Sequence, residues 1–292
     1  MATPPGGTPT DWVERTQRPL ERFYWLSLSE GPGARRREWS DAVAVGSDLP
    51  TAAANSLFVH AGGIGLRATL REAQEFFRST PAWRITCPEA LRGEVAPLAA
   101  AAGLRRGDAV PRMVLAPLPP APPAPADLVI RPVESARDLE EFIEVEVRAF
   151  DIPRRIARAA FARHRWLRAT GEGSIQWLVG NHRDRPASIA AQMTWGGITA
   201  VFFVGTVPEL RGRGFGRAMT WAAVDRGRQQ GADSAWLHAT PMGRPLYEAM
   251  GFRRQCDDLE WTHPAVGLGR LRTWLWNLGV ALRSPGPTGG SG

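Results

Sequence analysis

One stretch restricts the possible folds of this chain more than any other. Val201-Phe-Phe-Val204 is a β-branched and aromatic run suited to a buried strand. Pro208 stops ladder pairing because it has no N–H to give. Arg211-Gly-Arg-Gly-Phe-Gly216 follows, and a helix is predicted from Arg217 to about Gln230. Glycine allows a tight turn and a close backbone approach to a ligand. The start of a helix presents free N–H donors and partial positive charge, so strand, turn and helix together suit a phosphate or pyrophosphate. Arg211, Arg213 and Arg217 add formal charge at the same place.

The turn is no Walker loop, since no Lys-Ser/Thr follows it. It is no dinucleotide fingerprint either, because Gly212, Gly214 and Gly216 lack that spacing and lie late in the chain. The order Arg-x-x-Gly-x-Gly resembles the acyl-CoA-binding turn of the GNAT acetyltransferases. Further along, Leu246-Tyr247-Glu-Ala-Met-Gly251-Phe252 resembles the Leu-Tyr-x-x-x-Gly-Phe signature of the same family. The resemblance covers about residues 127–262. It implies an α/β (α+β) fold with a mixed, mostly antiparallel sheet flanked by helices, arranged here as tandem GNAT-like units.

The predicted elements fit that order. A helix over 11–30 carries Trp12, Leu20 and Phe23; strands are expected at Glu38–Val45, Ser56–His60, Trp83–Cys87 and Ala109–Leu115, and helices at Arg67–Arg78 and Pro88–Ala102. The proline run Ala116–Ala126 is stiff and extended and marks a boundary. Beyond it lie a strand at Leu128–Val133, a capped helix after Ser135-Ala-Arg-Asp138 and a second helix from Pro153 to about Ala169. Strands follow at Ile175–Asn181, Ser188–Trp195, Ile198–Thr206 and Ser234–Ala239. The expected domains are a disordered 1–10, a degenerate GNAT-like unit at 11–118, a linker at 119–127, a catalytic GNAT unit at 128–262 and a tail at 263–292. The degenerate reading rests on an echo. Ala102-Gly-Leu-Arg-Arg106 parallels Met250-Gly-Phe-Arg-Arg254, and at that offset Ala99 stands where Tyr247 does.

What the resemblance implies can be assigned residue by residue. The pyrophosphate of an acyl-CoA, acetyl-CoA first among them, would lie on Arg211, Gly212, Arg213, Gly214, Phe215, Gly216 and Arg217. Main-chain groups of Val204, Gly205 and Thr206 would polarise the thioester. Thr240 occupies the place where many family members have Asn near the pantetheine; it also reads as an N-cap followed by Pro241. Tyr247 would protonate the leaving thiolate. The group that accepts the amine proton stays open at this stage. Glu146 falls on the apolar stripe of its helix, His238 lies in a strand, Glu209 lies in a loop, and a water chain would serve as well. The implied reaction is acyl transfer to the primary amine of a small molecule or peptide. A CoA-binding scaffold, an O-acyltransferase and an acyl-CoA decarboxylase are the alternatives.

Composition limits partners. All 36 basic residues are arginine and the net charge is +7. That reflects either composition bias or an anionic ligand. The arginines are scattered, so nucleic acid is not called for. Cys87 and Cys256 lie far apart, without metal spacing, so no disulfide or metal is expected. No apolar run reaches membrane-spanning length and no signal-peptide pattern opens the chain, so a cytoplasmic monomer or homodimer is expected. A helix over 265–283 carries Trp274 and several leucines on one side. It suits docking on protein better than lying on a membrane.

Overall fold

The computed structural model describes residues 9–28, 33–49, 51–80, 82–161 and 173–263. The expected tail helix at 265–283 and the continuation of the Pro153 helix to Ala169 lie outside or partly outside these residues.

The N-terminal half holds α1 (Pro9–Leu28), β1 (Arg35–Glu38), β2 (Ala42–Gly46), β3 (Ser56–Val59), α2 (Leu66–Phe76), β4 (Arg84–Pro88), α3 (Arg92–Ala101), β5 (Arg105–Arg106) and β6 (Val110–Leu115). After the proline run come β7 (Val129–Pro132), α4 (Ala136–Phe150), α5 (Arg154–Ala160), β8 (Ile175–His182), β9 (Arg185–Trp195) and β10 (Ile198–Thr206). The chain continues with α6 (Phe215–Gln229), β11 (Ser234–His238), α7 (Arg244–Ala249) and β12 (Arg253–Thr262).

Several boundaries differ from the sequence reading: α1 begins at Pro9, inside the stretch 1–10 expected to be disordered, and α6 at Phe215 rather than Arg217. The single strand expected over Glu38–Val45 is the end of β1, a turn and β2, an antiparallel hairpin that pairs Glu38 with Val43. Pro88 does not open a helix. It ends β4, a 3-10 turn spans Glu89–Leu91, and α3 begins only at Arg92. Elsewhere local chemistry wins. Ser135 and Asp138 cap α4 reciprocally, each satisfying a backbone N–H of the other. Arg183 and Asp184, both at positive φ, turn β8 into β9.

Among the described residues the twelve strands form one sheet in the order β1-β2-β3-β4-β12-β6-β11-β10-β9-β8-β7, with β5 beside β12. Each half places its last strand in the other. β6 pairs with β11 and β12, while β12 runs on past β6 to pair with β4 and β5. Alternation along the strands sorts the core into layers. Leu178, Ala190 and Val201 pack on α6, and their neighbours Val179, Ile189 and Ala191 pack towards α4. Helices α2 and α3 cover one face of the N-terminal half. The other face is covered by α1, whose Trp12 and Leu20 pack with Val43 and Phe58 and also with Ala200 and Trp236 across the seam.

Candidate active site

The site opens where β10 leaves β11. The two pair in parallel over only Ile198–Val201 with Ser234–Leu237. Beyond Val201 the register of β10 against β9 shifts between Phe202 and Gly205, and Phe203 adopts φ +53°. A positive φ is costly for a bulky side chain and is kept only where surrounding packing imposes it. Residues 198–201 are buried, whereas Phe202, Phe203 and Val204 are half-buried, as expected for a strand that has lost its neighbour. Gly205 is required for close approach: a Cβ there would lie 3.0 Å from Ala149 and from the Phe150 ring. The end of β10 is therefore held against the C-terminal end of α4.

The glycine turn follows. Gly212 and Gly214 both take φ +80°, the left-handed region that glycine adopts without strain. The first helical bond of α6 runs from the Ala218 N–H to Gly214 (3.0 Å), so the N–H groups before it have no acceptor inside the helix. Nothing lies within 4 Å of the position a Cβ would take on Gly212, which leaves the loop open. The Arg211 guanidinium bends back to donate to the carbonyls of Ala149 (2.9 Å) and Thr206 (3.2 Å). It fastens the loop to α4 and β10. Arg213 faces the Asp127 carboxylate at 3.9 Å.

A cavity of about 530 Å³ runs from this turn into the protein. Its wall brings together Val204, Gly205, Thr206, Arg211, Gly212, Gly214, Phe215, Gly216, Arg217, Thr240, Tyr247 and Glu146. Of the residues singled out for acyl-CoA and catalysis, Arg213 and the candidate base Glu209 are not in that wall. The Thr240 hydroxyl accepts from the Gly243 N–H (3.1 Å), and α7 starts at Arg244. It thus closes the turn before the helix and does not act as the helix N-cap expected from Thr240-Pro241. Tyr247 is buried, its phenol held above its ordinary pKa by burial. It keeps its proton throughout the neutral range.

Glu146 is 1% exposed, and its Oε2 has no hydrogen-bond partner among the described residues. Burial in apolar surroundings penalises the charged form and pushes its pKa up to about 8. Glu209 stands apart, paired with Arg148 on the surface. His238 also lines the cavity, and its Nε2 lies against Asp258 Oδ2. Burial alone would raise the Asp258 carboxyl, but the Arg112 charge and the His238 bond outweigh it and hold the pKa at about 2. An ionised carboxylate can only accept, so His238 Nε2 carries the hydrogen of that bond.

Sequence reasoning allowed that the N-terminal half shapes the acceptor site but named none of the residues that do so. Phe23, Tyr24, Arg84 and Asp108 line the same cavity, together with Glu260 of β12. Arg84 donates to Glu260 (2.7 Å), to the Tyr24 hydroxyl (2.9 Å) and to Ser56 (2.9 Å). Arg112, fully buried, forks onto Asp258 and donates to Thr16 and Gln17 of α1. The available signal was a lone arginine inside each of two apolar strand runs, since buried arginine demands a partner.

Residues 139–252 match the sequence profile of the Acetyltransferase (GNAT) family. A mycothiol acetyltransferase from Thermobispora bispora is 34% identical over 180 residues, which is 56% of this chain and 59% of that protein. The chain thus spans less than two thirds of that relative's length. A GCN5-related N-acetyltransferase from Kribbella flavida shares the fold with a TM-score of 0.65 at 18% identity, over 90% of this chain and 98% of its own. A tandem GNAT protein from the clavulanic acid biosynthesis pathway does so with a TM-score of 0.57 at 16% identity, over 85% and 94%. The open glycine turn and the tyrosine helix thus lie inside residues 139–252, the segment that matches the GNAT acetyltransferase family.

Proposed function

We propose that the chain transfers an acyl group, acetyl in the first instance, from CoA to the primary amine of a small molecule or peptide. One observation carries this: the open glycine turn, the freed end of β10, Tyr247 and Glu146 share a single cavity. Backbone N–H groups at the start of α6, with Arg217 beside them, would take the pyrophosphate. Main-chain groups at 204–206 would face the thioester carbonyl, where preorganised donors lower the barrier most. The amine nitrogen attacks the carbonyl carbon, the C–S bond breaks, and the sulfur takes the Tyr247 proton. Glu146 receives the proton lost by the nitrogen. A carboxylate with a pKa of about 8 is well matched to that task near neutral pH. The name of the Thermobispora bispora relative supports acetyl as the group moved.

In this reading residues 11–118 form a non-catalytic unit that completes the cavity from the α1 side. The domain divisions at 119–127 and 128–262 are part of the same proposal. Thiol release from acetyl-CoA in the presence of an amine panel is the test. Release that depends on the amine, with N-acetylated product by mass spectrometry, is expected. Release without amine would indicate a different reaction on this fold, and acetyl-CoA binding with no release would indicate a sensor.

A further inference from the structure

Inside the cavity, Glu146 Oε2 has no hydrogen-bond partner among the described residues, and a set of aromatic rings shares its wall. Phe150 stands one turn further along α4, on the same helix face. Phe202 and Phe203 come from the freed part of β10, Phe161 from the end of α5, and Phe23 from α1, and all of them line the wall with Glu146. The rings brace one another. Phe23 stacks on Phe202 with centroids 3.5 Å apart, and Phe203 lies 6.2 Å from Phe161 and 6.0 Å from Phe23.

A buried carboxylate with no partner is expensive to keep. The polar end of the cavity makes no such demand, because Arg84, Glu260 and Tyr24 satisfy one another. A ligand that supplies an ammonium group to Glu146 and apolar surface to the rings would meet both needs, and ring faces attract a cation as well. An acyl chain in the same compartment would cover the rings but leave Glu146 without a partner.

We infer that the acceptor is a primary amine carried on an aryl or alkyl body, its nitrogen at Glu146 and its body against Phe150, Phe161, Phe202 and Phe203. This rests on the transfer reaction proposed above.

The test compares 2-phenylethylamine, hexylamine and glucosamine as acceptors from acetyl-CoA, using the full chain. The two apolar amines should exceed glucosamine in kcat/KM by about tenfold or more, the scale on which an apolar pocket discriminates. Phe150→Leu and Phe203→Leu should each raise KM for 2-phenylethylamine and leave KM for acetyl-CoA unchanged, which also reports that the variant is folded. Glucosamine turned over as well as the apolar amines, or unchanged amine KM in both folded variants, overturns the inference. So does octanoyl-CoA outrunning acetyl-CoA while displacing 2-phenylethylamine, which would give the compartment to the acyl chain. Calorimetry of 2-phenylethylamine with the free protein separates the two levels. Binding that Glu146→Gln weakens, with no turnover of any amine, would sink the transfer reaction and keep the acceptor class. Absence of amine binding sinks the acceptor class even if acetyl-CoA is hydrolysed.

Discussion

The two halves of the sheet each lead a strand through a glycine turn into a helix, and they treat the helix start in opposite ways. In the C-terminal half the turn at 211–216 is open and its donors face a cavity. In the N-terminal half, Gly62-Gly63-Ile64-Gly65 precedes α2, and the Glu94 carboxylate of α3 accepts from the Gly63 N–H at 2.7 Å. A Cβ on Gly62 would lie 2.2 Å from that carboxylate. The protein's own carboxylate thus occupies the turn before α2. The following helices differ in the same sense, although their backbones agree. In α7 the Phe252 N–H reaches the Tyr247 carbonyl and the Gly251 N–H that of Glu248, both at 3.0 Å. In α3 the Leu104 N–H reaches Ala99 and the Gly103 N–H reaches Ala100, also at 3.0 Å. The architecture repeats while the chemistry does not. Ala99 fills the core, and Tyr247 borders a cavity.

The largest effect that would break this contrast is on turnover. Tyr247→Phe should lower kcat by about 10²–10⁴ and spare acetyl-CoA affinity, the range for a lost general acid. A variant with unchanged kcat would remove the tyrosine from the mechanism. Next is the seam between the halves. Arg112 lies on a strand of one half and Asp258 on a strand of the other, 0% and 1% exposed at their side chains. Arg112→Ala leaves a buried carboxylate short of its partner and should cost about 3–5 kcal/mol in denaturant melts. A loss below about 1 kcal/mol would mean that the network does not join the halves.

The third prediction sets the turns against each other. Gly214→Val strains a left-handed position by about 1–3 kcal/mol. It should weaken acetyl-CoA binding by roughly tenfold to a hundredfold. Gly63→Val, at φ +122°, should reduce stability only. Equal losses of acetyl-CoA affinity would erase the distinction.

A pH profile sharpens the same point. The folded pKa of Glu146, about 8, lies above its ordinary value of 4.5, so the folded state holds the extra proton. Stability from this group is present below pH 4.5 and is lost as pH rises through about 8. The rate should climb over the approach to that pH as the base form appears. Glu146→Gln should abolish the acid limb of kcat/KM and flatten the stability loss. An acid limb that persists would pass the base role to His238. The smallest effect is at the plugged turn. Glu94→Ala should lower stability by about 0.5–1 kcal/mol and leave one acetyl-CoA per chain by calorimetry. A second equivalent of acetyl-CoA would show that the carboxylate alone silences the N-terminal half.

Much of this was legible in sequence because it is local chemistry. The β-branched run, the glycines and Pro208 placed β10, the turn and α6. Ser135 with Asp138 placed the start of α4. Glu146 could be put on the apolar stripe from helical periodicity, so its direction was readable. Its isolation was not. That depends on which side chains from α1, α5 and β10 surround it. The turn that divides Glu38–Val45 into two strands was missed for a similar reason, since Trp39–Asp41 lacks the glycine or proline that punctuates most turns.

The sequence by itself determined where a glycine turn opens into a helix and which phenol lies downstream of it. Those properties belong to backbone conformations that short stretches impose on themselves. Only the tertiary structure decided that the two halves exchange their final strands and that α1 covers the seam. It also decided that the carboxylates of Glu146 and Asp258 meet opposite fates, the first left bare at a pKa of about 8 and the second held at about 2. Desolvation and pairing are set by neighbours distant in the chain. Arg112 is 146 residues from Asp258, and no local pattern records that they meet.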